Sequence, residues 1–273
     1  MVEVAAGISN TAGFCYWDCL TPRPYFWIYM LLKFISNFLF PPRCLSCERA
    51  VAAQDGLCGE CFAGAQLISE PCCRLCGHPF ELAFAPVSKS ILVCRRCQRL
   101  KPTFTAHRAV MLYSVAAKNI ILPLKHADDT KMAKFMARMM SARAASFIDK
   151  VDVVMPVPIH FLRLLKRKYN QAALLARLIA MDSGKEFLHD TLVRIRATES
   201  QGTKTPRERA VNVSRAFRVR DRNAVRGKSV LLVDDVYTSG ATLNECAKVL
   251  RWAGAKRIYC LTFAKTGRVR QLG

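Results

Sequence analysis

Acidic side chains are scarce in this sequence: 20 Asp+Glu stand against 42 Lys+Arg, a formal charge of +22 over 273 residues. That balance excludes an acidic, solvating chain and favours phosphate-bearing partners through counterion release. No run of eighteen uncharged apolar residues occurs, which argues against a transmembrane helix. The first twenty residues, MVEVAAGISNTAGFCYWDCL, lack a basic segment followed by an apolar core and do not read as a secretory signal. No segment is low in complexity, and aromatics interleaved with basic residues, as base stacking needs, are sparse. Tyr169, directly after Arg167 and Lys168, is the best single candidate for such a role. Apolar residues make up 52% of the chain, which excludes disorder as its main description. The length suffices for one large or two small domains with a buried core.

What the sequence has in abundance is cysteine. Thirteen are present, and without a secretory signal they point to metal in a reducing, cytoplasmic compartment rather than to a disulfide framework. Eleven lie before residue 98; only Cys246 and Cys260 lie beyond. Charge divides at the same place. Residues 1–101 hold 10 Lys+Arg against 7 Asp+Glu, and residues 102–273 hold 32 against 13. We therefore expect an N-terminal extension and helix over 1–40, a small Cys-rich module over 41–101, and a basic domain over 102–273, with the boundary near Lys101-Pro102. Residues 25–40, YFWIYMLLKFISNFLF, read as a helix ended by Pro41-Pro42. Packing on the following domain is favoured over a membrane-surface role. Cys15 and Cys19 have no partner pair nearby and read as bystanders.

Four CxxC pairs follow in order: Cys44/Cys47, Cys58/Cys61, Cys73/Cys76 and Cys94/Cys97. Each turn lets two thiolates face one ion, and two turns complete a closed tetrahedral four-cysteine site, the geometry of structural zinc. Two zinc ions are thus expected. Sequential pairing is simplest, and a crossed arrangement (first pair with third, second with fourth) stays open. Cys72 is a spare beside Cys73, His78 is a weaker ligand candidate, and Gly59 and Gly77 lie in or beside the turns, where positive φ is often needed. Eight thiolates and two Zn²⁺ bring the module close to neutral, so its first task is to replace a core too small to stand alone.

The basic domain carries a second constellation. Residues 229–243 read SVLLVDDVYTSGATL: a buried strand over Val230–Val233, the acidic pair Asp234 and Asp235, a loop Thr238-Ser239-Gly240-Ala241-Thr242, then a helix from Thr242 to Ala253 stopped by Gly254. Such a loop aims N–H groups and hydroxyls at a phosphate, and the helix N-terminus adds its dipole. Adjacent carboxylates at a strand end suit ribose hydroxyls or a Mg²⁺ ion held through substrate oxygens and water. The spacing does not fit a Walker A loop. Upstream, Val151–Val157 reads as a strand followed by Arg163, Lys166, Arg167 and Lys168, a basic cluster suited to pyrophosphate. Residues 199–209 read as a polar loop able to close over a substrate with Lys204, Arg207 and Arg209. Ile258–Ala264 is another buried strand, with Cys260 in the core.

These motifs resemble a known family. LLVDDVYTSGATL is similar to the 5-phosphoribosyl-1-pyrophosphate (PRPP) motif of type I phosphoribosyltransferases. VDVVMPVPIHFLRLLKRKYNQAALLA, TESQGTKTPRERAVNVSRAF and the double zinc ribbon resemble the ComF family over about residues 30–265. The resemblance implies an α/β fold, a type I phosphoribosyltransferase-like parallel sheet flanked by helices and preceded by the double zinc ribbon. It implies that Asp234 and Asp235 take the ribose and are the catalytic acids, and that Val236 and Tyr237 lead into a 5-phosphate loop over Thr238–Thr242. Arg167, Lys168 and Lys125 of the segment LPLKHADD would meet phosphate; His126 reads as structural. Tyr237 stands where many members carry a small residue or threonine, and Lys168 replaces a usual glycine. Residues 1–29 precede the usual family start and read as an extension or a misassigned start.

Three functions follow from the resemblance. The first is a DNA-uptake or DNA-processing protein that binds PRPP and single-stranded DNA, with a possible protein partner in the uptake machinery. The second is an active phosphoribosyltransferase releasing pyrophosphate; no general base for an acceptor is identifiable. The third is a non-catalytic PRPP sensor.

Overall fold

The computed structural model describes Ile28, Leu31, Leu32 and Ile35, then residues 41–51, 56–80, 92–126, 130–161, 169–196 and 206–267. The chain divides into two compact units, Met1–Pro42 and Arg43–Gly273. In the first, the four described residues of the expected helix are helical, follow the i, i+3, i+4, i+7 spacing of one face, and are exposed. Cys15 and Cys19 lie outside the described residues. Among the described residues no helix is long and apolar enough to cross a membrane.

The second unit is built on a five-stranded parallel sheet. Its strands are β1 (Ala106–Leu112), β2 (Val153–Pro156), β3 (Glu186–Phe187), β6 (Ser229–Tyr237) and β7 (Arg257–Lys265), in the spatial order β1-β7-β6-β2-β3. A two-stranded antiparallel ribbon, β4 (Leu192–Arg194) with β5 (Phe217–Val219), stands apart from it. Both faces of the sheet are covered, which is why its strands are near-continuous apolar runs instead of alternating ones. Leu231, Val233, Leu261 and Val154 enter one core with Met132, Met136 and Met140 of one helix and Leu175 and Ile179 of another. Those helices are Thr130–Ala144 and Gln171–Ser183. Val230, Leu232, Met155 and Cys260 enter the other core with Leu243, Cys246, Ala247 and Leu250. Those four, at i, i+3, i+4 and i+7, are the buried stripe of Ala241–Trp252.

Several sequence boundaries move. The strand expected over Val151–Val157 is shorter, and the one expected over Val230–Val233 runs on to Tyr237, because β7 continues to pair with it through Tyr237↔Lys265 after β2 has ended at Pro156↔Val233. The loop expected over 199–209 is helical from Pro206 onward, Pro206–Val213, and 197–205 lie outside the described residues. Gly77 has the expected positive φ, +63°, but Gly59 does not: it opens the short helix Gly59–Ala63.

The Cys-rich segment closes an edge of the sheet. Ile68 N–H donates to Val110 O (2.8 Å), Leu112 N–H to Gln66 O (2.8 Å) and His107 N–H to Leu75 O (2.7 Å). The free side of β1 is thereby paired, which removes an exposed edge. Cys72 is not a fifth ligand. Its N–H and thiol meet the Glu70 carboxylate, which also accepts from Arg143 of the helix Thr130–Ala144 at 3.3 Å. On the far side, Thr103 N–H donates to Asn244 Oδ1 (2.7 Å) and Thr105 N–H to Ile258 O (2.7 Å), so the segment joining ribbon to sheet is itself anchored.

Candidate functional site

The chain order places the crevice. From β2 the chain moves outward to β3, and from β6 it moves the other way to β7, so the direction of winding reverses between β2 and β6. Ligands of open α/β sheets bind beyond the carboxyl ends of strands at such a switch point. Asp234 and Asp235 lie there, both half-buried, with Asp235 N–H donating to Asp234 Oδ1 at 2.9 Å. The Asp234 charge reaches inward: burial pushes the thiols of Cys246 and Cys260 well up, and Asp234 adds to both shifts.

The loop follows at once. Thr238 and Ser239 are half-buried, and Ser239 Oγ accepts from Ala241 N–H at 3.4 Å. Gly240 caps the helix Ala241–Trp252 with φ +75° and ψ 3°, a left-handed conformation. A Cβ there would lie 2.3 Å from Tyr237 Oη, so both backbone and space demand glycine. Ala241 and Thr242 form the first turn of that helix, which begins one residue earlier than the expected start at Thr242. Val236 packs at the border of the first core.

Tyr237 is part of the fold, not of a free loop. Its buried ring lies tilted against that of His107 (centroids 4.4 Å, 36° between planes) and carries Lys265 Nζ 3.5 Å from its centroid. Lys265 is only 3% exposed. Burial lowers its pKa to about 8, against the pull of the Cys76, Cys97 and Cys94 thiolates. His107 is fully buried. Its Nδ1 lies 2.9 Å from Cys76 O, which can only accept, so Nδ1 carries the proton; Nε2 lies 3.0 Å from Thr262 Oγ1, whose hydroxyl donates to Ala264 O at 3.1 Å. Burial first, and the Lys265 charge second, hold this imidazole well below its ordinary pKa.

The cysteines form two clusters, Cys44/Cys47/Cys58/Cys61 and Cys73/Cys76/Cys94/Cys97, with the sulfurs of each within 4.8 Å of one another. Pairing is therefore sequential, and the crossed arrangement is excluded; His78 belongs to neither cluster. The clusters fit Zn²⁺. A tetrahedron with Zn–S near 2.3 Å has sulfurs about 3.8 Å apart, and Cys47–Cys58 and Cys76–Cys94 are separated by 3.6 and 3.7 Å. Backbone N–H groups point at the sulfurs, as thiolates require: Ser46 and Cys58 to Cys44 Sγ, Cys61 to Cys58 Sγ, and Cys94 to Cys73 Sγ. The first cluster is the more open, with Cys47 exposed; in the second, Cys73, Cys76 and Cys97 are buried within the core shared with Val230 and Leu250. Four thiolates on one Zn²⁺ carry −2, and the thiolate charge of Cys76, Cys97 and Cys94 favours the ammonium of the buried Lys265.

Not every expected residue is placed. Arg163, Lys166, Arg167 and Lys168 lie outside the described residues, as do the side chains of Lys125 and His126. Tyr169 Oη donates to Leu124 O, which holds Tyr169 beside the short helix Pro123–His126. Asn170 caps the helix Gln171–Ser183 and donates to Val157 O at 3.1 Å, so Asn170 itself stands just past the end of β2. Gln171 is buried, and its Nε2 has no hydrogen-bond partner among the described residues. Sequence reasoning misses His107, Lys265 and Arg96. Two signals are there to be found: a lysine closing an otherwise apolar buried strand, and an arginine inside a CxxC turn.

Comparison with known proteins agrees with this architecture. Residues 35–99 match the family described as double zinc ribbon domain, and residues 132–271, just over half the chain, match the phosphoribosyl transferase domain. Sheet, switch-point loop and paired four-cysteine clusters thus define a phosphoribosyl transferase domain carrying a double zinc ribbon. The chain is 28% identical to Competence protein F of Haemophilus influenzae over 82% of this chain and 96% of that protein. It is also 28% identical to the DNA utilization protein YhgH of Escherichia coli K12 (81% and 96%) and to Competence protein ComFC of Bacillus subtilis (71% and 77%). The chain belongs to the ComF family. Among solved structures, an adenine phosphoribosyltransferase aligns with a TM-score of 0.35 and 14% identity over 60% of this chain and 82% of that one, a likeness that carries no argument.

Proposed function

We propose that the protein binds PRPP with Mg²⁺ at the carboxyl ends of β2 and β6, and acts with single-stranded DNA in DNA uptake or a related process. One observation carries the reading: an acidic pair and a hydroxyl-bearing loop, closed by a left-handed glycine at a helix N-terminus, sit together at the switch point of a parallel sheet. Asp234 and Asp235 are hard oxygen donors suited to ribose hydroxyls, and Mg²⁺ supplied with the ligand would neutralise its pyrophosphate. Thr238 to Thr242 take the 5-phosphate, with Arg167, Lys168 and Lys125 on the pyrophosphate side. The names of the competence and DNA-utilization relatives, together with the charge of residues 102–273, support the nucleic-acid role.

Titration calorimetry with PRPP and Mg²⁺ tests the first half. Wild type should bind, and Asp234→Asn/Asp235→Asn should lose at least about a hundredfold in affinity with an unchanged circular dichroism spectrum, since charge-assisted bonds to two hydroxyls disappear together. Equal affinity in the variant refutes the assignment. Release of pyrophosphate on adding a panel of bases would instead mark a transferase. For the second half, single-strand affinity should fall steeply between about 50 and 200 mM salt; no binding at the lower concentration sinks it.

A further inference from the structure

Three successive carbonyls after the acid pair are held by donors of the surrounding fold. Tyr237 O accepts from Thr266 N–H at 2.8 Å, Thr238 O from the Thr266 hydroxyl at 3.2 Å, and Ser239 O from the Arg96 guanidinium at 2.5 Å. In a planar trans peptide the carbonyl and the following N–H point in opposite directions. The amides of Thr238, Ser239 and Gly240 therefore turn away from these donors. For Thr238 that direction is away from β7, toward the side where β2 has already ended. Consecutive amides aimed into one concavity make an anion site.

Arg96 does not belong to the sheet. It lies in Arg95–Arg99, the short helix that contains Cys97 and is capped by Cys94, so two ligands of the second cluster fix its backbone. A third ligand meets the root of the loop: Cys76 O accepts from His107, whose ring supports Tyr237. Tyr237 in turn leaves no room for a side chain at Gly240.

We propose that the second cysteine site moulds the phosphate loop, with Arg96 as the positioning residue that turns the Ser239–Gly240 peptide so that its N–H faces a phosphate monoester. The metal held by Cys73, Cys76, Cys94 and Cys97 fixes Arg96 and, through Cys76 and His107, the floor beneath Tyr237. The ribbon is then a working part of the ligand site as well as a cover for the sheet edge. The identity of the ligand rests on the phosphoribosyl reading above; the mould does not.

The test uses the full, zinc-loaded chain and three variants: Arg96→Ala, Arg96→Lys, and Arg49→Ala beside the first cluster, where Arg49 pairs with the exposed Glu60. ¹⁵N relaxation should give Ser239 and Gly240 order parameters near those of rigid backbone, ~0.85, in wild type and Arg49→Ala. They should fall toward ~0.6 in Arg96→Ala, with zinc content still two per chain, and lie between in Arg96→Lys. Affinity for PRPP should drop about tenfold in Arg96→Ala and be partly restored by lysine, as expected for loss of one charge-assisted bond. Unchanged order parameters in Arg96→Ala overturn the inference whether or not PRPP binds. A wild type that ignores PRPP, while Arg96→Ala still loosens the loop, refutes the phosphoribosyl reading and leaves the mould standing.

Discussion

Lys265 and Tyr237 are cross-strand partners at the carboxyl end of the sheet, and the lysine ammonium sits 3.5 Å from the centre of the tyrosine ring. A buried ammonium needs compensation, and here it comes from two sources: the ring face and the thiolates of the second cysteine cluster. One side chain thereby joins the metal site to the residue at the root of the Thr238–Gly240 loop.

The two zinc ions should therefore leave at different rates. Cys47 is exposed and Cys58 and Cys61 half-buried, whereas three of the four ligands of the second cluster are buried. A chelator with a chromogenic zinc indicator should release one equivalent quickly and one slowly. Lys265→Met keeps the volume and removes the cation that the thiolate charge favours, so it should speed the slow phase at least severalfold and spare the fast one. A single phase, or a slow phase indifferent to Lys265→Met, contradicts this assignment of roles.

Gly240→Ala should destabilise the chain without touching the acid pair. Left-handed backbone costs a non-glycine residue about 1–2 kcal/mol, and the new methyl would lie 2.3 Å from Tyr237 Oη. A total near 2 kcal/mol corresponds to a melting point lower by roughly 4–8 °C in a domain of this size. Ligand affinity should fall as well, because Tyr237 or the loop must move. A melting point within a degree of wild type would show that the loop tolerates a side chain.

His107 should make stability depend on pH below neutrality. The unfolded chain takes up a proton at this residue as pH falls through about 6.5. The folded chain holds the buried imidazole neutral to a much lower pH. Its contribution is therefore complete above about 6.5 and is lost below it, by at most about 1.4 kcal/mol per pH unit. Urea midpoints measured from about pH 7.5 to 5.5, with zinc content checked at each point, should slope downward in wild type. The slope should be shallower in His107→Gln, which should be less stable throughout. Equal slopes would place the titrating group elsewhere.

Much of this is legible in the residues. The CxxC spacings announce two four-cysteine sites because four thiolates on one ion need short turns and little else, and the strand–DD–TSG–helix order announces the switch-point loop through purely local chemistry. The extent of β6 is not legible, because Asp234 to Tyr237 are polar enough to look like loop and only pairing with β7 keeps them extended. The helix Pro206–Val213 reads as loop for a similar reason: its charged sequence has no strong apolar stripe. Tyr237 is the clearest misplacement. In the sequence it stands among ligand-binding loop residues; in the fold it is a buried support between His107, Lys265 and Gly240.

The chain by itself determined what depends on short-range spacing: which cysteines pair in a turn around metal, and where carboxylates and hydroxyls crowd a strand end. The folded protein alone decided that the second metal cluster lies behind the loop that follows the acid pair, because that contact brings Arg96 to Ser239 across 143 positions of sequence. Local chemistry leaves a pattern among neighbouring residues. A contact between distant segments exists only once two apolar faces have been buried against each other, and single-residue spacing carries no trace of it.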